Sequence, residues 1–467
     1  MDLSFDERFK KFLSELKPAV SPSSISTDSA DIVMYSVDAS KEQGFASAVI
    51  SPASQEEAIA VVRIAGKYKI PIFSRGAASG MVGSSVPTAP GIVLNFARLN
   101  RIIRIDRDNL TAVVEPGVIT GDLQAEVEKV GLFYPPDPGS SAFCTVGGNL
   151  AENAGGMRVV KYGSTANYVL ALKCVIPTGE VFTTGAYTTM NVAGYDLVRL
   201  IVGSEGTLAV ILEVTVRLIS KPVSIRTAFA QFSTELDALK ASAEIIKAGL
   251  IPRSLEFMGE EALNCVRKGR ELPLLMPECK SALLLESDGI HPEATRTEIS
   301  EMKGVCARFN LLDWREAEQA SEREVLWDVR KSMAPTLFQV ASYRLEQDVA
   351  LPRAQVAEFV DRLRSMVKEP VPQPVIYGHL GHGNLHVSFL MQGKNDPRIP
   401  AVKEMLPELF RTVVEMGGSI AAEHGIGIQK RNFLPLQLSE TEIRLQKAIK
   451  KVFDPDGILN PGKIFPD

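Results

Sequence analysis

Between Tyr134 and Gly163 the chain carries three prolines and six glycines. Proline removes a backbone donor and glycine populates conformations other residues avoid, so no continuous helix or strand can run through such a stretch. A run of this kind is either backbone held against a ligand or a long surface connection. A second run, SRGAASG at Ser74–Gly80, directly follows an apolar strand-like segment. Neither run is a GxGxxG after a first strand or a GxxxxGK followed by Ser or Thr, and Gly203-Ser204-Glu205-Gly206 is no phosphate loop by those patterns. Exposed backbone N–H groups can nevertheless hold a pyrophosphate. SRGAASG and TVGGN both offer them, and Arg75 either adds charge or closes a strand-edge salt bridge. A large phosphate-containing cofactor fits such loops; its identity stays open on these grounds.

Histidine is scarce. Four of the five, His379, His382, His386 and His424, fall in two short glycine-flanked segments, YGHLGHGNLH and AEHGIG. A histidine between glycines gains little from packing, while small neighbours let the backbone turn and gather imidazoles. His379, His386 and Glu423 form an N,N,O ligand set for a divalent ion with a position left open. His424, beside that carboxylate, is placed to act as a base, and His382 is a fourth ligand, a group behind the ligands or a surface residue. Scattered structural histidines are the alternative. The seven-residue spacing and its glycines exclude a helical HExxH site.

At 467 residues the chain exceeds the size of one ordinary core, so two or three domains are expected. A net charge of -5 and no Arg/Lys stripe argue against a nucleic-acid partner. The mixed-charge N-terminus lacks the apolar core of a signal peptide, and no apolar run reaches membrane-spanning length. A cytoplasmic protein is expected, with peripheral membrane attachment open. The five cysteines form no CxxC pair and no iron–sulfur pattern, so any one-electron relay lies in a flavin, another subunit or a diffusing acceptor.

Residues 1–40 suggest a helix and a polar connector, SPSSISTDSAD. From Ala46 the pattern becomes α/β, with Ser54 capping a helix, a hairpin around Asp106–Asn109 and a helix stopped by Gly131. Pro222 marks a boundary, after which strands and charged helices alternate as in an antiparallel sheet with helices on one face. VIYGHL and LHVSFLMQG pair as strands within that α+β domain. The ranges are 1–40 for the N-terminal part, 41–222 for a cofactor domain, 223–430 for a substrate or cap domain and 431–467 for a C-terminal helix and tail.

Several segments then fall in one order: SRGAASGMVGSSVP, PPDPGS, CTVGGNLAENAGG, VKYG, GYDLVRLIVGSEGTLAVI, DVALPR, YGHLGHGNLH, AAEHGIGIQKR and FDPDGILNPGK. Together, over about residues 40–465, they resemble the FAD-linked D-2-hydroxyacid dehydrogenases, the group of D-lactate dehydrogenase, glycolate oxidase flavoprotein subunit and D-2-hydroxyglutarate dehydrogenase. That resemblance implies an α+β fold: a two-subdomain FAD-binding domain of the vanillyl-alcohol-oxidase type, a ferredoxin-like substrate or cap domain, and a C-terminal segment returning to the flavin. It implies FAD contacts at Arg75, Gly76, Ala77, Ala78, Ser79, Gly80, Pro138, Gly139, Thr145, Gly148, Asn149, Ala154 and Gly155, with Ile211 near the adenine and Asn460 at the isoalloxazine. Some relatives attach flavin to a histidine of the first loop; here Ala77 lies in that neighbourhood and no histidine precedes His291, so FAD is expected to be non-covalent.

The resemblance also assigns His379, His386 and Glu423 to the metal, zinc first, with manganese or iron as alternatives. It makes His424 the base and Arg330 the substrate-carboxylate clamp. Arg344 resembles a lysine that many relatives keep beside substrate and flavin, although a planar fork replaces a flexible point donor. His382 stands where many relatives have aspartate, so its role is open between donor, acceptor and ligand. The implied activity is oxidation of a small D-2-hydroxyacid, D-lactate to pyruvate first, with glycolate and D-2-hydroxyglutarate behind it. Electrons would pass to a quinone, a cytochrome or an iron–sulfur subunit. An oxygen-using flavin oxidase and a non-catalytic flavin-binding subunit are the competing readings.

Overall fold

The computed structural model of the chain describes residues 3–269 and 272–466, so Met1, Asp2 and Asp467, at the ends of the outer ranges, lie outside the described residues. The chain forms two compact units. One comprises Met1–Gly155, Ser164–Lys221 and Glu423–Asp467, and the other Gly156–Gly163 and Pro222–Ala422. Residues 423–430, grouped with the cap on sequence grounds, thus pack with the first unit. There the backbone N–H groups of Ile426 and Gly427 donate to Glu205 at 2.7 and 2.9 Å.

In the first unit a four-stranded sheet runs in the order Ile25–Ser26, Ala48–Ile50, Ile92–Asn95, Ile72–Arg75, the last three parallel. Parallel neighbours need a crossover, and the helix Gln55–Tyr68 supplies one, capped by Ser54 with Glu56 and Glu57 in its first turn. Its Ala58, Val61, Val62 and Ala65 share a core with Phe12, Leu16, Ile72, Leu94 and Leu459. Phe12 and Leu16 come from the helix Phe5–Leu16, so the N-terminal segment belongs to this core. The polar connector is also more ordered than its composition suggests. Asp28 accepts from the N–H of Ala30 and starts the helix Ser29–Tyr35.

A five-stranded antiparallel sheet follows, ordered Ile102–Asp106, Thr111–Val114, Val210–Arg217, Val169–Val175, Val181–Gly185. Its first pair is the expected hairpin, closed by the Asn109 N–H donating to Asp106 at 3.0 Å. The C-terminal tail returns to the parallel sheet, where Ile72 donates to Ile458 and Asn460 donates to Ile72, both at 2.8 Å.

The second unit is one seven-stranded antiparallel sheet. Its order is Leu311–Ala317, Ser224–Phe232, Ser281–Gly289, Ser254–Met258, Val375–His379, Asn384–Met391, Tyr343–Ala350. The first four strands, with the crossover helices Glu235–Lys247 and Pro292–Cys306, make the expected ferredoxin-like arrangement, and the last three extend it. Helices cover both faces rather than one. The central strands are buried along nearly their whole length, as two-sided coverage requires. One face packs Phe229, Met258 and Leu284 against Leu263, Leu326, Val329 and Leu337 of the helices Glu260–Gly269, Ala320–Lys331 and Met333–Val340. Among the described residues no helix is long and apolar enough to cross a membrane.

Candidate active site

In the second unit the two histidines at either end of HLGHGNLH sit on paired strands. His379 ends Val375–His379, and His386 lies opposite Tyr377 in Asn384–Met391. The turn between them needs its glycines. Gly383 is left-handed at φ +83, and a side chain on Gly378 would come within 2.4 Å of the Asn384 carbonyl oxygen. Both imidazoles are buried and their Nε2 atoms stand 3.4 Å apart.

Each ring is backed by an acid. His379 Nδ1 lies 2.7 and 2.8 Å from the two oxygens of Glu256, and His386 Nδ1 lies 3.6 Å from Asp348 Oδ1. A carboxylate behind the distal nitrogen is the usual support of a metal-binding imidazole. Two nitrogens bound tetrahedrally at roughly 2.0–2.1 Å are separated by about 3.4 Å. The pair therefore fits a divalent ion. His382, in the turn Leu380–His382, stacks on His379 with ring centres 5.6 Å apart and planes at 17°.

Arg330, in the last turn of Ala320–Lys331, donates from Nε to Glu256 Oε2 at 2.8 Å and lies 5.1 Å from the Tyr377 ring centre. Burial alone would raise the Glu256 carboxyl, but His379 and Arg330 hold it below the ordinary range. Arg344 is on the Tyr343–Ala350 strand. Its side chain is buried, paired with Glu346 at 3.0 Å and packed 4.3 Å from the Phe338 ring centre. The register sets Arg344, Glu346 and Asp348 opposite Leu390, Ser388 and His386, so all three line the sheet face that carries the histidines.

Asp348 also joins this site to the second motif. Its Oδ1 accepts from the Asn384 amide at 2.7 Å, and its Oδ2 accepts from the N–H of Ala422, the residue before Glu423, at 2.9 Å. Glu423 and His424 follow as the first residues of the other unit, with His424 Nε2 4.0 Å from Glu423 Oε1.

The glycine loops lie in the first unit. Arg75 ends its strand and donates to the carbonyls of Tyr35 and Val37 at 3.2 and 2.6 Å, which pins that segment to the loop. A side chain on Gly76 would reach within 2.2 Å of Thr145 Oγ1, so the two glycine runs meet there. Ala78 adopts a left-handed φ of +52, and Ala77, Ser79 and Gly80 continue the turn. Thr145 caps Val146–Glu152 by accepting from the Gly148 N–H at 3.2 Å, and the Asn149 side chain donates to Thr120 at 2.7 Å. Pro138 and Gly139 precede this cap in the turn where Ser141 donates to the Pro138 carbonyl. Ala154 donates to the Asn149 carbonyl at 2.8 Å, and Gly155 follows it. Ile211 is in the five-stranded sheet opposite Cys174.

Asn460 closes the loops from the tail. Left-handed at φ +42, it donates from Nδ2 to the carbonyls of Ser84 and Glu205 at 2.8 and 2.6 Å. Around this loop five buried atoms have no hydrogen-bond partner among the described residues: Asp38 Oδ2, Ser74 Oγ, Ser85 Oγ, Glu152 Oε2 and Asn460 Oδ1. Orphaned buried polar atoms are rare and call for a bound group. A polar, phosphate-bearing cofactor such as FAD fits them.

The motifs gave Glu256 and Asp348 no role, although Glu256 interrupts the apolar stretch SLEFMG and Asp348 opens the segment DVALPR. Glu152 and Glu205 were also missed. Burial, then each other's charge, pushes the Glu152 carboxyl well above the ordinary range; burial likewise raises Glu205, against two backbone N–H donors and Lys463.

Two family models match the chain: FAD binding domain over residues 46–185, and FAD linked oxidases, C-terminal domain, over residues 221–464. The glycolate oxidase subunit GlcD of Bacillus subtilis is 36% identical over 95% of this chain and 94% of its own. D-lactate dehydrogenase of Anaerostipes hadrus is 34% identical over 89% of each chain. D-2-hydroxyglutarate dehydrogenase of Stutzerimonas stutzeri is 32% identical over 97% of this chain and 98% of its own. Among solved structures, p-cresol methylhydroxylase aligns with a TM-score of 0.79 at 16% identity over 99% of this chain and 97% of its own. The 4-ethylphenol oxidase of Gulosibacter chungangensis aligns with a TM-score of 0.76 at 20% identity over 100% and 98%. Glycine loops with orphaned polar atoms, the cap sheet and these full-length matches converge: the chain belongs to the FAD-linked oxidases of the vanillyl-alcohol-oxidase type, in the group of glycolate oxidase subunits and D-lactate and D-2-hydroxyglutarate dehydrogenases, and is an FAD-dependent oxidoreductase.

Proposed function

We propose that the protein oxidises a small D-2-hydroxyacid, D-lactate to pyruvate first, with glycolate and D-2-hydroxyglutarate behind it. The observation that carries this reading is the pairing of the His379–His386 site with Arg330 across one buried carboxylate, Glu256. A 2-hydroxyacid presents a carboxylate next to a hydroxyl, and this sheet face offers a guanidinium next to a cation site. The relatives named above act on substrates of that kind by their names.

His379, His386 and Glu423 would hold the divalent ion, with zinc suiting the borderline donors and manganese or iron as alternatives. The loops carrying Arg75–Gly80, Pro138–Gly139, Thr145–Asn149 and Ala154–Gly155, with Ile211 and Asn460, would hold FAD without a covalent bond. When bound, the ion would supply Lewis acidity toward the substrate hydroxyl and FAD the capacity to take up a hydride.

Arg330 commits Nε to Glu256. Its two terminal nitrogens remain for fork-to-fork binding of the substrate carboxylate. That grip fixes which face of the α-carbon presents its hydrogen. His424, at an approach of roughly 3 Å, takes the hydroxyl proton while the α-hydrogen leaves with its electron pair and the C–O bond becomes a carbonyl. Arg344 adds a second cation on the same face, offset by Glu346. The electrons then leave for an acceptor outside this chain: a quinone, a cytochrome or an iron–sulfur subunit.

The test is anaerobic mixing of the flavin-loaded protein with D- and L-lactate, glycolate and both 2-hydroxyglutarate enantiomers. D-Lactate should bleach the flavin band fastest and at the lowest concentration, and chelation should stop it. Preference for L-lactate would reject the proposed orientation. An unchanged spectrum across the panel would leave a silent flavin-binding subunit. Metal-free turnover with stoichiometric peroxide would indicate an oxygen-using oxidase.

A further inference from the structure

We propose that Glu256 is a positioning residue that sets the metal-binding nitrogen of His379 and the guanidinium of Arg330 together, so that ion affinity and substrate-carboxylate affinity depend on one side chain. The proposal rests on the metal and clamp roles given above. Glu256 occupies the middle of the Ser254–Met258 strand, directly opposite His379 in the antiparallel register, and is fully buried. A carboxylate so placed is strongly destabilising unless it is paired and hydrogen-bonded. Here it is paired on both sides, with His379 Nδ1 at 2.7 and 2.8 Å and Arg330 Nε at 2.8 Å.

An ionised carboxylate only accepts hydrogen bonds. His379 must then carry its proton on Nδ1, which puts the lone pair on Nε2, the atom 3.4 Å from His386 Nε2. Oε2 serves both partners, so the clamp and the ligand are referenced to a single oxygen. The Tyr377 ring, 5.1 Å from the guanidinium carbon, holds the same arginine from a second side.

Glutamine keeps the shape of this side chain but offers one acceptor oxygen and an amide that donates. With the amide oxygen at the Oε1 position Arg330 loses its acceptor, and with it at the Oε2 position the amide N–H faces His379 Nδ1. An amide N–H facing Nδ1 also drives the imidazole proton to Nε2, where it opposes the ion. Glu256→Gln should therefore weaken metal binding by about 10–100-fold, the usual effect of removing the group behind a ligand. It should also raise the concentration of D-lactate needed for half-maximal flavin reduction when metal is saturating. Glu286→Gln is the comparator. That buried acid lies on the adjacent strand and accepts from Thr227 at 2.7 Å and Trp327 at 2.9 Å, and its loss should lower Tm without moving either quantity.

The experiment measures zinc affinity by chelator competition, FAD content, Tm and anaerobic flavin reduction for the flavin-loaded wild type and both variants. Expected is the joint loss of zinc and D-lactate affinity in Glu256→Gln alone, with FAD stoichiometry retained. Unchanged zinc affinity in Glu256→Gln, or an equal loss in Glu286→Gln, overturns the proposal. A wild type that binds no zinc, manganese or iron overturns the metal reading itself and the proposal with it. Should Glu256→Gln fail to retain FAD, Glu256→Asp decides. Its charge persists one methylene short, so an intermediate zinc affinity supports the role and a wild-type affinity rejects it.

Discussion

The Nε2 atoms of His379 and His386 face each other at 3.4 Å inside a buried sheet face. Two imidazole nitrogens that close satisfy each other only through a shared proton or a shared ion. The acids behind the rings favour the ion: Glu256 is hydrogen-bonded to His379 Nδ1, and the Asp348 charge lies 3.6 Å from His386 Nδ1. His379→Ala and His386→Ala should each remove most of the bound metal and nearly all turnover. FAD should remain, since the glycine loops belong to the other unit. His382→Ala should lose far less metal, its ring stacking on that of His379. Elemental analysis of the three purified variants checks this, and equal loss in His382→Ala would make that residue a ligand.

Arg330→Lys should separate charge from geometry. Lysine retains the positive charge but loses both the fork and the Nε donor that holds Glu256 at 2.8 Å. The expected fall in kcat/KM is on the order of a hundredfold to a thousandfold, about 3–4 kcal/mol at 1.36 kcal/mol per decade. Most of it should appear in kcat, because a mobile ammonium binds a carboxylate without orienting the α-carbon. Steady-state kinetics with D-lactate decide; a pure KM effect would mean that Arg330 contributes charge alone.

The motifs found the histidines, and their flanking glycines announced the tight turn between the two strands. They could not show Glu256 or Asp348. An acid within SLEFMG or DVALP has no partner in its own segment, and it becomes meaningful only when the sheet register sets it opposite His379 or His386. The helices beyond Pro222 were legible from their spacing, whereas their distribution over two faces was not. A strand buried on both sides gives an unbroken apolar run, as SALLLESDG nearly does, and such a run does not reveal how many layers cover it. Arg75 was ambiguous between a phosphate contact and an ion pair. Its donation to the Tyr35 and Val37 carbonyls depends on a segment some 40 residues away.

The Glu152–Glu205 pair should make stability depend on pH. Burial raises both carboxyls; at Glu152 the charge of Glu205 and then of Asp38 add to it and Ser84 opposes it, while at Glu205 the Ile426 and Gly427 N–H groups, Lys463 and Lys430 oppose it. A raised carboxyl means that the folded chain keeps a proton which the unfolded chain releases above about pH 4.5. Unfolding then releases protons, so this contribution to stability is full in acid and declines as pH climbs toward the raised value. Glu152→Gln removes one buried acid and its repulsion with Glu205, and should flatten the decline above about pH 4.5. Tm across that window, compared between wild type and variant, checks the sign; a steeper decline in the variant would refute it.

Arg344 and Glu346 should set the choice between mono- and dicarboxylic substrates. Both side chains are buried, 3.0 Å apart, on the face that carries His386. Among the described residues Arg344 Nε and Nη1 have no hydrogen-bond partner, so the guanidinium is neutralised by Glu346 without being satisfied. A second substrate carboxylate approaching Arg344 would also meet the charge of Glu346. D-Lactate, with a methyl group at that end, meets no such conflict. Glu346→Gln removes the opposing charge while keeping the side-chain length, and leaves Arg344 as an uncompensated cation. Stability should fall, because unpairing one member of a buried ion pair costs about 3–5 kcal/mol. The ratio of kcat/KM for D-2-hydroxyglutarate over D-lactate should rise by about tenfold or more, the effect of roughly 1.4 kcal/mol of regained attraction. Anaerobic flavin reduction with both acids, in wild type and variant, measures it. An unchanged ratio would place Arg344 outside the substrate pocket, and a wild type that already favours the dicarboxylic acid would show that Glu346 does not screen it.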